Sequence, residues 1–161
     1  MPDSPKFSTS FHEKLLDSLY DGVYFVDQDR RITYWNHGAE TLTGYTASDA
    51  VGRQCFDNFL EHVDEGGCAL CVNDCPLAAT IGDGQRREAE VYLRHKAGHR
   101  IPVSVRVAPL RDTEGLVVGA VEIFTDVQVS NYCGRIARPA IPAIHPTADR
   151  VARHAGARRH A

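Results

Sequence analysis

Gly22-Val23-Tyr24-Phe25-Val26-Asp27 and, across the polar turn Gln28-Asp29-Arg30, the run Arg31-Ile32-Thr33-Tyr34-Trp35-Asn36 decide how this chain folds. Both runs are rich in β-branched and aromatic residues, which suit a pleated, half-buried surface. The turn is short enough to make them antiparallel neighbours, so they predict a β-hairpin. Upstream, Ser10-Phe11-His12-Glu13 has capping-box spacing. Phe11, Leu15, Leu16 and Leu19 recur on one helical face, predicting a helix from Ser10 to about Tyr20. Downstream, His37 to about Leu60 is helix-forming but broken by Gly44 and Gly52, with Ser48 and Asp49 as candidate caps; several short helices are expected. Asp74 and Pro76 mark the start of another helix, through Thr80. Ala89 to His95, the alternating Ile101, Val103, Val105 and Val107, and Leu116 to Thr125 predict three strands. Short links at 96–99 and 111–115 make them antiparallel neighbours.

The chain has 161 residues, 43% hydrophobic and 24% charged, enough for one ordinary core. No stretch reaches the roughly 20 apolar residues of a membrane span. Met1-Pro2-Asp3-Ser4 lacks the basic and apolar parts of a secretory signal, so a cytoplasmic location is expected. The formal charge of -3 argues against specific nucleic-acid binding. That average is uneven: residues 131–161 hold six Arg, no Lys and one Asp, a charge of +5, which leaves -8 for residues 1–130. Ala, Arg, Pro and His make up 20 of those last 31 residues, a composition unable to bury enough apolar surface to offset ordering entropy. The expected organisation is a disordered lead-in over 1–9, one domain over 10–127, and a basic disordered tail over 128–161. No phosphate-cradling Gly-Lys-Ser/Thr loop, G-x-S-x-G elbow or H-E-x-x-H pair occurs, so no catalytic activity is expected.

The runs Asp21 to Asp27, Arg31 to Asn36 and Ala39-Glu40-Thr41-Leu42-Thr43-Gly44-Tyr45 together resemble a PAS sensory domain. So do Arg94 to Val103, Pro109-Leu110-Arg111-Asp112 and Gly119 to Asp126, and the resemblance covers about residues 11–127. It implies an α+β fold: a five-stranded antiparallel sheet with short helices over one face, plus an N-terminal helix. It also implies a sensory role, relaying a signal to an effector such as a histidine kinase or a diguanylate cyclase, and homodimerisation through the N-terminal helix. No effector motif follows Val127, so the chain reads as a stand-alone sensor or the front part of a longer protein.

Four of the five cysteines lie in the 21 residues from Cys55 to Cys75. In a reducing compartment such a cluster points to metal or redox chemistry before disulfides. Cys68-x2-Cys71-x3-Cys75-Pro76 reproduces part of the bacterial ferredoxin run. With Cys55 it offers four thiolates, which suit an iron-sulfur cluster or tetrahedral zinc. Cys55, Cys68, Cys71 and Cys75 are therefore the candidate metal ligands, with His62 able to replace one of them; Cys133 falls in the tail and outside the site. An iron-sulfur cluster would make a redox or oxygen sensor, whereas zinc would make the loop structural. Haem through His62, His37 or His95 is less favoured, and Val72 after Cys71 excludes a C-x-x-C-H attachment. The run Gly52-Arg53-Gln54-Cys55-Phe56 is similar to the adduct-cysteine segment of flavin photoreceptor domains. Gln54 and Phe56 depart from that pattern, as does a fourth strand without flavin-gripping amides, which disfavours flavin. The competing reading is a cofactor-free dimerisation or protein-interaction module whose cysteines merely pack as small hydrophobes. Trp35 is expected in the core, and His95 and His99 in a solvated hairpin.

Overall fold

The computed structural model describes residues 9–57 and 59–128. Of the expected disordered lead-in over 1–9 and tail over 128–161, all but Thr9 and Gln128, which are helical, lies outside them, Cys133 included. Ten elements follow one another: α1 (Thr9–Asp17), β1 (Gly22–Asp27), β2 (Ile32–Trp35), α2 (His37–Thr43), α3 (Ala47–Ala50), α4 (Leu70–Asn73), α5 (Pro76–Asp83), β3 (Arg87–Arg94), β4 (Arg100–Arg111) and β5 (Val117–Asp126). The strands form one antiparallel sheet in the order β2-β1-β5-β4-β3. The predicted hairpin β1-β2 is present, with Tyr24 opposite Trp35. The meander β3-β4-β5 returns to it by pairing β5 with β1, which places the last described strand at the sheet's centre.

Alternation along each strand separates two faces. Tyr24, Val26, Val91, Leu93, Val103, Val105, Val107, Ala120 and Phe124 are buried beneath the helices and the 51–75 segment. Trp35 joins them as expected: its indole stacks near Tyr24 and Phe59, and its Nε1 donates to the Tyr45 carbonyl at 3.0 Å, so the large ring is buried without an orphaned donor.

Asn36 is the local determinant that joins the hairpin to the helices. Its Oδ1 accepts from the N–H groups of Val23 and Ala39, both at 2.8 Å, and its Nδ2 donates to the carbonyls of Leu16 and Asp21. One fully buried amide thus caps α2, extends the β1 edge and holds the segment leaving α1.

Three local expectations differ from the structure. The helix α1 already runs from Thr9, so Ser10 is helical rather than its cap, and α1 ends at Asp17 rather than Tyr20. Phe11, Leu15 and Leu19 stay exposed, because α1 meets α2 and the edge of the sheet rather than lying across its core face. Ser48 and Asp49 do not start α3; Thr46 does, in a capping box with Asp49. The cysteine segment also contains a one-turn helix, α4, and α5 starts from Cys75 with Pro76 in its first turn and extends to Asp83.

Candidate functional site

The cysteine segment is pinned at several points. Arg94 N–H donates to the Leu60 carbonyl, and Val63 exchanges backbone hydrogen bonds with Tyr92, so residues 60–63 cover the free edge of β3. Glu61 reinforces this contact by pairing with Arg94 and Arg100. Leu70 N–H then donates to the His62 carbonyl at 2.9 Å, which folds the start of α4 back onto the same strip. Arg30, in the β1-β2 turn, ties the two ends of the segment: its carbonyl accepts from Cys55 N–H at 3.1 Å, and its Nη1 donates to the Cys71 carbonyl at 3.3 Å. Arg30 takes a left-handed conformation (φ 59°) and its guanidinium lies over the Phe56 ring.

These contacts bring three of the four candidate cysteines to one region. Cys55 is 2% exposed and Cys75 8%; Cys71 is half-buried; Cys55 feels the charge of Cys75 and Cys71, and Cys71 that of Cys75. Burial is the main reason the Cys55 and Cys71 thiols are pushed up, with Cys75 and Glu122 adding to it, so both are protonated at neutral pH. The His62 backbone lies within hydrogen-bonding reach of the Cys71 sulfur and partly offsets that rise. Cys68 stands apart, exposed, in the turn where its N–H donates to Asp64. Among the described residues no three Cys, His, Asp or Glu side chains are already set around a common point that would hold a metal ion. All four cysteines are free thiols in this arrangement. The spacing of the ferredoxin run is therefore not matched by a preset four-thiolate cage. Cys71 sits on the single turn of α4 and Cys75 at the cap of α5, while Cys68 lies before both, on the outer side of the turn.

Beneath the thiols lies a polar group that the sequence reading missed. Glu122, on the central strand β5, points to the core face between Tyr24 of β1 and Val107 of β4, and is 2% exposed. The His62 Nε2 approaches its Oε1 at 3.4 Å, with both side chains buried. Burial dominates both titrations: Glu122 rises to about 8 and His62 falls to about 4, the latter aided by Arg100. At neutral pH the contact therefore joins two uncharged groups rather than an ion pair. The Tyr24 hydroxyl faces the same carboxyl and rises well above its ordinary value, first through burial and then through Glu122, Cys55 and Cys75. Neither the Tyr24 hydroxyl, His62 Nε2 nor Glu122 Oε1 makes a hydrogen bond of good geometry. Such orphans are rare in a core and need an explanation. The available signal was alternation: Glu122 lies in phase with Ala120 and Phe124, on the buried side of β5.

Two arginines border the thiols on their outer side. An open cleft of about 490 Å3 lies between the α4-α5 junction, with Cys71 and Cys75 at its wall, and Arg30 and Arg87. Arg87 is held there by a bidentate pair with Asp83. The other histidines named from sequence are elsewhere: His37 is exposed beside Glu40, and His95 stacks on His99 across the β3-β4 turn.

A family model described as a PAS domain matches residues 21–128, two-thirds of the chain and all five strands. The chain belongs to the PAS domain family. Its PAS domain is 25% identical over 121 residues to the signal transduction histidine-protein kinase AtoS of Escherichia coli K12, covering 73% of this chain and 18% of that protein. It is 27% identical over 115 residues to the probable diguanylate cyclase DgcE of the same organism, covering 71% of this chain and 10% of that one. The match thus spans less than a fifth of either relative. Among solved structures, the PAS domain of a Colwellia psychrerythraea protein superposes with a TM-score of 0.61 at 24% identity, over 73% of this chain and 94% of that one. This likeness bears out the α+β fold: five antiparallel strands with short helices. PAS domains serve as sensory modules in signalling proteins rather than as catalysts. No described helix is long and apolar enough to cross a membrane.

Proposed function

We propose that this PAS domain is a cytoplasmic signal-input module whose input is the cysteine segment 55–75, and that it relays the signal to an effector of the histidine kinase or diguanylate cyclase type. One observation carries this reading. Three thiols from separate turns gather near a buried carboxyl that belongs to the central strand and has one oxygen without a hydrogen bond of good geometry, so a change at sulfur is felt by β5. The input chemistry is oxidation of a thiol pair to a disulfide by a two-electron oxidant of the peroxide class, with loss of two protons, or ligation of the thiols, with loss of theirs, by zinc or an iron-sulfur cluster. Either event replaces buried S–H groups with a crosslink, which shifts an existing conformational equilibrium if the two states bind it unequally. The fit is partial, since the side chains are not preset around one point; ligation requires the one-turn α4 to shift.

The test is amide hydrogen exchange on the full chain before and after alkylation of the buried thiols under reducing, metal-free buffer. Altered exchange in β5 and at the α1-β1 junction is expected. Exchange that changes only within 55–75 would overturn the reading. A second reading is favoured by the exposed Leu15, Leu19 and Tyr20 on and after α1: a dimerisation module, with the helix as its interface. It predicts a stable dimer that is indifferent to thiol chemistry.

A further inference from the structure

We infer that His95 and His99 form a proton-operated latch: while both imidazoles are neutral the β3-β4 turn is held on the C-terminal end of α2, and proton uptake by His95 releases it. The latch lies outside the cysteine segment and works independently of it.

The geometry begins in the turn. His95 N–H donates to the His99 carbonyl at 2.9 Å, and Gly98 N–H to the His95 carbonyl at 2.8 Å, which closes a tight turn over residues 95–99. Inside it, Ala97 N–H donates to His95 Nδ1 at 2.9 Å. A ring nitrogen that accepts carries no hydrogen, so neutral His95 keeps its own on Nε2. The His99 ring stacks on that of His95, with centroids 4.3 Å apart and an angle of 20° between the planes. His95 also packs directly against Gly44, the left-handed C-cap of α2: a Cβ there would fall 2.8 Å from His95 Cε1. Two further contacts fasten the same turn to the helices. Lys96 N–H donates to the Thr43 carbonyl at 2.8 Å, and Lys96 Nζ pairs with Asp49 of α3.

Protonation acts on this arrangement at two points. An imidazolium donates from both nitrogens, so a proton arriving at Nδ1 removes the acceptor of Ala97 N–H and sets two donors face to face. A charge on one ring of the stack also opposes a charge on the other. The His95 ring must then leave the turn, and its contact with Gly44 goes with it. His95 is half-buried and His99 exposed, so protons reach both.

The charged and titratable groups around His95 set the direction. Lys96, His99 and Arg100 come from its own hairpin, Asp49 of α3 acts through Lys96, α2 presents the uncharged Thr41 and Leu42, and β5 brings Asp126. Titration of His95 lies below the ordinary value, first through burial and then through His99, so the closed latch resists the proton and loses stability as pH falls below about 6.5. Room for the displaced ring exists: an open cleft of about 310 Å3 between α2 and the end of β5 is lined by both histidines and by Asp126. Asp126 is the carboxylate in that cleft, and its Oδ1 accepts from Gln128 N–H just past β5. An imidazolium drawn towards Asp126 exchanges a contact with α2 for one with the end of β5.

The experiment is NMR on the full chain, reduced and free of metal, between about pH 7.5 and 5. Nitrogen–proton correlations of the imidazoles should show His95 with its hydrogen on Nε2 at the upper end of the range. Protection of the Lys96 amide, corrected for intrinsic exchange, should fall by at least about tenfold as His95 takes up its proton. In His95→Phe, which keeps a ring but cannot take a proton, that protection should be flat with pH. His99→Phe, which keeps the stack and removes one charge, should raise the His95 midpoint. An Nδ1–H tautomer, or Lys96 protection that does not follow the His95 titration, would overturn the latch. A pH response that survives in His95→Phe would do the same. Where that variant fails to fold, the test rests on His99→Phe, and an unmoved His95 midpoint there counts against the pair.

Discussion

Glu122 shows what one buried carboxyl does to the energetics of this domain. Burial raises it to about 8 and lowers His62 to about 4. For Glu122 the folded state holds its proton longer than the unfolded state does. Its contribution to stability is therefore fully present below the unfolded value near 4.5 and is lost as pH rises towards about 8. His62 works in the opposite sense: its unfolded form binds a proton below about 6.5 while the folded form does not until about 4, so stability falls as pH drops through that window. Between about 4.5 and 6.5 the two slopes oppose each other, and above 6.5 Glu122 acts alone. Glu122→Gln removes that titration while keeping the shape. Urea unfolding with chelator present should show the variant gaining on the parent between pH 6.5 and 8.5, by on the order of 1–2 kcal/mol. Parallel pH profiles for the two proteins would show that Glu122 is ionised throughout. Asn36 is the counterpart, a buried polar side chain with every hydrogen bond made. Asn36→Ala would orphan the Val23 and Ala39 N–H groups and free the Leu16 and Asp21 carbonyls, at a cost of about 3 kcal/mol. Asn36→Asp keeps the acceptor but turns a carboxylate on two carbonyls, and should recover only part of that loss.

At the level of elements, what sequence could show depended on whether a residue's role was set by its neighbours in the chain. All five strands were legible because period-two alternation and short turns are local facts; Ile101, Val103, Val105 and Val107 do face the core. The strand order was not, since pairing β5 with β1 joins residues about a hundred positions apart. The end of α1 was misjudged for the same reason. Its apolar stripe is genuine, but its fate depends on what lies above it, and there Leu15 and Leu19 face solvent. In the candidate region, the sequence showed that cysteines cluster, and Cys55 and Cys71 do come within electrostatic reach of Cys75; a common centre for them is not formed among the described residues. Glu122 was hidden because a carboxylate in a strand reads as solvent-facing unless the phase of its neighbours is followed. Close approach of elements gives a prediction here. A methyl group at Gly38, in the first turn of α2, would fall well inside contact with the Asp21 backbone carbonyl, which a tightly bonded junction cannot withdraw. Gly38→Ala should destabilise by about 1–3 kcal/mol in thermal or urea unfolding, despite the better helix propensity of alanine. Gly82→Ala, near the end of α5 with open space around it, is the control and should be neutral or slightly stabilising.

For the whole molecule, the question is how an event at the thiols would leave the domain. The cysteine segment rests on one face of β5, and β5 is paired with β1 through Gly22↔Phe124 and on to Asp27↔Gly119. From β1 the route continues to Asn36 and the α1-β1 junction, whose carbonyls Asn36 holds, and Tyr34 and His37 contact Asp17 at the end of α1. Polar contacts thus fasten the C-terminal end of the helix to the sheet and to α2, while Leu15, Leu19 and Tyr20 remain exposed. An exposed apolar patch on this helix is suited to pairing with a second copy, and its burial would offset the cost of leaving these side chains in water. Light scattering on the full chain should therefore report a dimer, and Leu15→Glu with Leu19→Glu should convert it to a monomer whose sheet unfolds at the parent midpoint. If the double variant is still dimeric, α1 is not the interface. If the parent is already monomeric at high concentration, the helix is left as an arm for an effector, and the signal must pass through β5 and β1 without a second copy.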